Sequence, residues 1–138
     1  MKVTGRFCAI EALLDTHIWL WSLKDASRLG NRTLTEFRSP ANELWLSPIS
    51  TWEALMLHEK GRFHLHAEPH EWIARAVAPF LEAPFTHEIA AASRQLRLPQ
   101  RDSADRFLAA TAKVLGLTLV TADANLLGLG EIATLGNR

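Results

Sequence analysis

A single cysteine, Cys8, is the only thiol in the chain, which excludes an internal disulfide and a thiolate metal site built from this sequence alone. That usage fits a reducing compartment, and a cytoplasmic protein is the expectation. Neither sign of charge is in excess, since Lys and Arg number 15 and Asp and Glu number 15. No global field therefore draws in a polyanion, and an anionic substrate must be held by a local patch. Long apolar runs are missing too. Stretches such as Leu115–Val120 fall far below the roughly 18 residues of a membrane span, and Glu11 interrupts what would be the apolar part of a signal peptide. No membrane association is expected. Nor does any repeat, low-complexity run or Pro/Gly/Ser linker divide the chain.

What is present is the composition of a folded protein: 138 residues, 48% hydrophobic and 22% charged. That length supports one domain over residues 1–138 with a sizeable core, and residues 1–11 stand as an N-terminal extension. Ala12–Leu14 reads as a short buried strand, followed by helix-start signals at Asp15 and Thr16 and a helix to about Lys24. A helix over Asn31–Arg38, a strand at Leu44–Leu46 and a helix over Ile49–Lys60 follow. The last of these is started by Ser47 and Pro48 and stopped by Gly61. Pro69–Val77 reads as a helix, Phe80–Ala83 as a strand and Thr86–Leu96 as a helix. Asp102 caps a helix over Ser103–Leu115, Gly116 ends it, Leu117–Val120 is a strand and Thr121–Ala124 a turn. Strands alternating with helices predict an α/β fold, three layers in the order α/β/α around a short, mostly parallel sheet.

Acidic residues carry the chemistry. Asp15 and Asp123 each stand just past a short apolar strand, and in an open parallel sheet ligands bind beyond the carboxyl ends of the strands. Either one alone is explained by helix capping or turn formation; the pair on one edge says more. Glu53 falls within the helical arc of Ile49, Trp52, Met56 and Leu57, and a lone acid in an apolar arc needs a partner. A Ser50–Glu53 capping box is the plainer explanation, but Ser47 with Pro48 starts the helix earlier and moves Glu53 into the second turn. Asp105 shares a helix face with Leu108 and Ala112, whereas Asp102 sits where a cap belongs. Four converging carboxylates repel one another, and a hard divalent cation relieves that conflict. Oxygen ligands suit Mg²⁺ or Mn²⁺, and phosphodiester hydrolysis is the chemistry such an ion supports by acidifying water and neutralising developing charge.

Four segments now stand together: Leu13-Leu14-Asp15-Thr16-His17, Ser50-Thr51-Trp52-Glu53, Asp105-Arg106-Phe107-Leu108-Ala109-Ala110-Thr111-Ala112, and Leu119-Val120-Thr121-Ala122-Asp123. In order and spacing they resemble the PIN-domain family, over nearly the whole chain from Leu13 to Leu135, and look most like its VapC toxins. The resemblance implies that Asp15, Glu53, Asp105 and Asp123 are both the catalytic acids and the metal ligands, with Thr121 as a supporting hydroxyl; the reading of the helix start places Asp102 beside them. It implies a Mg²⁺- or Mn²⁺-dependent endoribonuclease, an RNA substrate, a cognate antitoxin and a homodimer. Ser103 stands where related sequences often have proline, and Ala124 and Asn125 follow Asp123 where they often have another acid, so one ion and two remain alternatives.

Other residues invite a function and have a simpler explanation. His64, His66 and His70 suggest Zn²⁺ but lack a neighbouring cysteine and read as surface residues. Trp19, Trp52 and Trp72 lie at helical spacings with other apolar residues and read as core or dimer contacts, while Trp21 and Trp45 carry no assignment. Arg94, Arg97, Arg101 and Arg106 form the densest basic stretch, which fits RNA phosphates at the mouth of the site or a solvated helix face. Two rival functions remain. A Mg²⁺-binding receiver domain needs a phosphoacceptor Asp after its central strand, and Phe80–Phe85 has none; an inactive PIN-like scaffold that binds a protein partner has no need of all four acids.

Overall fold

The computed structural model describes residues 9–98 and 103–138. Five strands, β1 (Glu11–Leu14), β2 (Glu43–Leu46), β3 (Leu81–Glu82), β4 (Thr118–Thr121) and β5 (Thr134–Gly136), form one sheet in the order β3-β2-β1-β4-β5. Every pairing is parallel. The helices are α1 (Thr16–Lys24), α2 (Asn31–Arg38), α3 (Pro48–Glu59), α4 (Pro69–Val77), α5 (His87–Ser93), α6 (Ser103–Leu115) and α7 (Ala124–Leu127), with a 3-10 turn at Ala26–Arg28 after α1.

Strand periodicity decides the layers. Side chains alternate across a strand, so Ala12 and Leu14 of β1 enter one core while Leu13 enters the other, and Val120 and Leu119 of β4 divide likewise. Both faces are apolar, which is why these strands read as unbroken hydrophobic runs. The first core holds Ile18 and Trp19 of α1, Ala54 of α3 and Ala76 of α4; the second holds Ile89 of α5, Leu108 and Ala109 of α6 and Leu126 of α7. Helices α1–α4 thus cover one face and α5–α7 the other, the expected three-layer fold. Trp19 is fully buried, donates its indole N–H to the Ala76 carbonyl at 3.2 Å and packs on Trp72 with ring centroids 5.4 Å apart.

Several boundaries differ from expectation for identifiable reasons. The N-terminal extension is part of the fold from Ile10, whose N–H donates to Asn42 Oδ1 at 2.9 Å and whose carbonyl accepts from Glu43; Cys8 lies outside the described residues. Helix α5 stops at Ser93 instead of Leu96 because Arg106 takes the released carbonyls: its guanidinium donates to Ser93, Leu96 and Leu98 at 2.9, 3.1 and 3.2 Å. Thr121 belongs to β4, not to the turn after it, and α7, β5 and the 3-10 turn are additions. Helices α3 and α6 are followed by Gly61 and Gly116 at φ +72° and +69°, a left-handed conformation that ends a helix cheaply only in glycine.

Candidate active site

Strand order places the site. The chain lays β2 and β3 outward on one side of β1 and then returns to set β4 on the other, so the order reverses between β1 and β4. A crevice forms beyond the strand ends at such a reversal. Asp15 follows β1 and Asp123 follows β4, one on each side of it. A cleft of about 310 Å³ there is lined by Asp15, His17, Trp21, Glu53, Asp105, Ala122 and Asp123. All four predicted acids thus meet in one cleft, delivered by four separate parts of the chain.

Capping and site formation turn out to be compatible. Asp15 caps α1, its Oδ1 accepting from the Thr16 N–H at 2.8 Å, and Oδ2 accepts from the Thr121 hydroxyl at 2.6 Å. Asp123 caps α7, with Oδ1 accepting from the Asn125 N–H at 2.8 Å, and its own N–H donates to Thr121 Oγ1 at 3.0 Å. Thr121 therefore ties the two aspartates together from the last position of β4. Glu53 lies in the second turn of α3, behind the Ser47 cap, and is buried. The Thr16 hydroxyl lies 2.5 Å from Glu53 Oε1 and 2.9 Å from Ser50 Oγ. One hydroxyl carries one proton, so Thr16 donates to the carboxylate and accepts from Ser50, a short relay that holds Glu53 in place.

Asp15 is only 5% exposed, and its pKa is raised. Burial is the main cause; the Thr121 hydroxyl, the His17 charge and the Thr16 N–H oppose it, and Asp123 adds to it. A buried carboxylate with neighbouring acids is the environment a cation stabilises. Each Asp15 oxygen spends one lone pair on its protein partner and keeps another for an ion. The donor set is all oxygen, which fits Mg²⁺ or Mn²⁺. Among the described residues, no three His, Cys, Asp or Glu side chains stand close enough together to hold a metal ion; the four acids line one cleft without converging on a single point.

A PIN domain profile matches residues 12–132. The chain belongs to the PIN-domain family. The receiver-domain alternative is thereby set aside. No curated protein matches this PIN domain by sequence. Its fold is similar to that of VapBC2 from Rickettsia felis, solved bound to a promoter DNA fragment (TM-score 0.72, 14% identity, 92% of this chain and 98% of that one). It is also similar to DNA-bound VapBC from Salmonella typhimurium (TM-score 0.71, 16%, 94% and 99%). FitAcB from Neisseria gonorrhoeae is similar as well (TM-score 0.60, 26%, 90% and 96%).

The described basic residues take different roles in this PIN domain. Arg106 is turned inward onto three carbonyls, Arg94 and Arg97 are exposed beyond α5, and Arg101 and Asp102 lie outside the described residues. His64, His66 and His70 are surface residues, and no helix is long and apolar enough to cross a membrane, among the described residues. Of the tryptophans read as core or dimer contacts, Trp19 is buried and Trp72 half-buried, while Trp52 is 56% exposed. His17 and Trp21 line the cleft and Thr16 and Ser50 stand behind Glu53, neighbours that spacing did not single out. Thr16 and Ser50 looked like helix-start residues, and only the approach of α1 to α3 gives them Glu53 as a partner.

Proposed function

We propose that this PIN domain is a divalent-metal-dependent endoribonuclease of the VapC type, the toxin of a toxin–antitoxin pair. The observation that carries this reading is the meeting of Asp15, Glu53, Asp105 and Asp123 in one cleft at the sheet's reversal point. Asp15, Asp105 and Asp123, with Glu53, would hold Mg²⁺ or Mn²⁺, which supplies a Lewis acid for hydrolysis of an RNA phosphodiester. Thr121 fixes the spacing of the two aspartates, Thr16 and Ser50 orient Glu53, and burial of Asp15 keeps bulk water from competing for it. The similarity to VapBC assemblies supports a cognate antitoxin partner; an antitoxin that occludes the cleft and a homodimeric toxin acting in the cytoplasm complete the proposal. Arg94 and Arg97 remain exposed cations able to contribute at the outer edge of an RNA, together with Arg101, whereas Arg106 serves that region as its internal brace.

The test is cleavage of a mixed RNA panel, tRNAs included, by the purified chain with Mg²⁺ or Mn²⁺, compared with EDTA and with Asp105→Asn. Cutting that disappears in both controls is the expected result. If nothing is cut and the ion does not stabilise the protein either, the inactive scaffold reading takes over; an ion that binds without cutting of this panel points to a narrower RNA substrate, and cutting that survives in Asp105→Asn sinks the assignment of that residue.

A further inference from the structure

Beyond its His17 rim the acid cleft opens into a second groove of about 360 Å³, and the two share His17 and Trp21. Its walls come from α1, the 3-10 turn, the end of α3 and the loop that follows. Across that shared rim the chemistry changes from carboxylates to cations and rings. Lys24, Arg28 and Arg62 line the groove and are exposed, and among the described residues none of them is ion-paired with a carboxylate. The Arg28 guanidinium lies 4.2 Å from the Trp21 ring centroid. Lys24 Nζ lies 5.3 Å from the centroid of Phe63 and donates to the His64 carbonyl at 3.1 Å. One acid, Asp25, also lines the groove, and it accepts the Ser27 hydroxyl.

We propose that this groove binds the single-stranded RNA adjoining the phosphodiester that the acids cut, with Arg28 and Arg62 on phosphates and Trp21 as a base-stacking platform. The proposal rests on the nuclease reading and gives its substrate a path. In a chain with no net charge, phosphates need a local cationic patch, and this patch is continuous with the carboxylates. Ring faces backed by guanidinium are what an unpaired base uses, whereas a duplex hides its base faces. An acidic peptide would find the same cations but has no use for the rings.

Binding is measured apart from cutting, by fluorescence anisotropy of a short labelled random-sequence RNA with the full chain in EDTA, over a range of salt concentrations. The double variant Arg28→Ala, Arg62→Ala should bind several-fold more weakly, its log Kd against log salt slope falling by about 0.7 for each cation removed. Trp21→Ala should weaken binding roughly tenfold with the slope unchanged, and Trp21→Phe should restore much of the loss. Trp21 is half-buried, so the phenylalanine variant keeps the test valid if the alanine variant misfolds. Arg75→Ala, an exposed cation on α4 outside the groove, should bind as the parent does. Unchanged RNA affinity and salt slope in the arginine double variant would overturn the groove and leave the metal nuclease standing. So would a double variant impaired toward a glutamate-rich peptide but not toward RNA. RNA held through the groove with no metal-dependent cutting would keep the groove and overturn the nuclease.

Discussion

Asp15 concentrates the conflict between stability and function in one side chain. Burial raises its pKa, so the folded protein holds that proton more tightly than the unfolded chain does. The stability this group lends is complete below about pH 4, the ordinary aspartate range, and is lost as pH rises through the raised value. Above that raised value, with no cation present, the carboxylate form is less stabilising than the protonated one. Asp15→Asn removes the charge and keeps an oxygen for the Thr16 N–H. In EDTA the variant should therefore melt above the parent at pH 7, with the gap closing toward pH 4, as thermal denaturation followed by circular dichroism would show. A gap that stays constant with pH would mean that Asp15 is not the group titrating. At this scale much of the site was legible: an Asp after each of two short strands and an acid inside an apolar arc are signals in one dimension. Thr16 and Ser50 were not, because a hydroxyl near a helix start has a sufficient local explanation.

Among the elements, β5 and the residues after it show what local signals could not reveal. Residues 134–136 have no apolar run long enough to announce a strand, and β5 exists because β4 offers an open edge, pairing Leu119–Thr134 through Thr121–Gly136. The chain end then docks on α2. The Gly30 N–H donates to Asn137 Oδ1 at 2.8 Å, Asn137 Nδ2 donates to the Arg28 carbonyl at 2.8 Å, and the Thr33 N–H donates to the Arg138 carbonyl at 3.1 Å. A Cβ at Gly30 would lie 1.7 Å from the Arg138 carbonyl carbon, far inside contact distance, so the tail must shift. Gly30→Ala should destabilise by about 1–3 kcal/mol, as overpacking does, read as a lowered midpoint in urea. An unchanged midpoint would show that this docking carries no stability. The shortening of α5 has the same origin: the Ser93 carbonyl at its end, and those of Leu96 and Leu98 just past it, find a donor in Arg106, a residue beyond reach of any local pattern.

For the whole molecule, metal linkage is the informative property. An ion that binds only the folded state stabilises it by mass action, about 2.7 kcal/mol at a hundred times Kd, or roughly 5–10 °C for a domain of this size. Adding Mg²⁺ or Mn²⁺ should raise Tm in the parent with a logarithmic dependence on concentration. Asp15→Asn should start higher and respond much less. A flat response in the parent would remove the metal from the site. With zero net charge, binding of RNA requires a local cationic patch, so on the proposed groove single cation substitutions should matter more than the overall charge.

The sequence by itself determined the α/β class, the two-faced strands and the four acids, because each rests on periodicity or on a residue type standing at an element's end. Tertiary structure decided the rest. Which hydroxyl holds which carboxylate, where Arg106 points, that Trp52 is exposed while Trp21 joins two grooves, and that a tail becomes β5 all depend on contacts between residues far apart in the chain. Local pattern carries burial and direction along one element, and the pairing of distant side chains exists only once the sheet has set β1 beside β4.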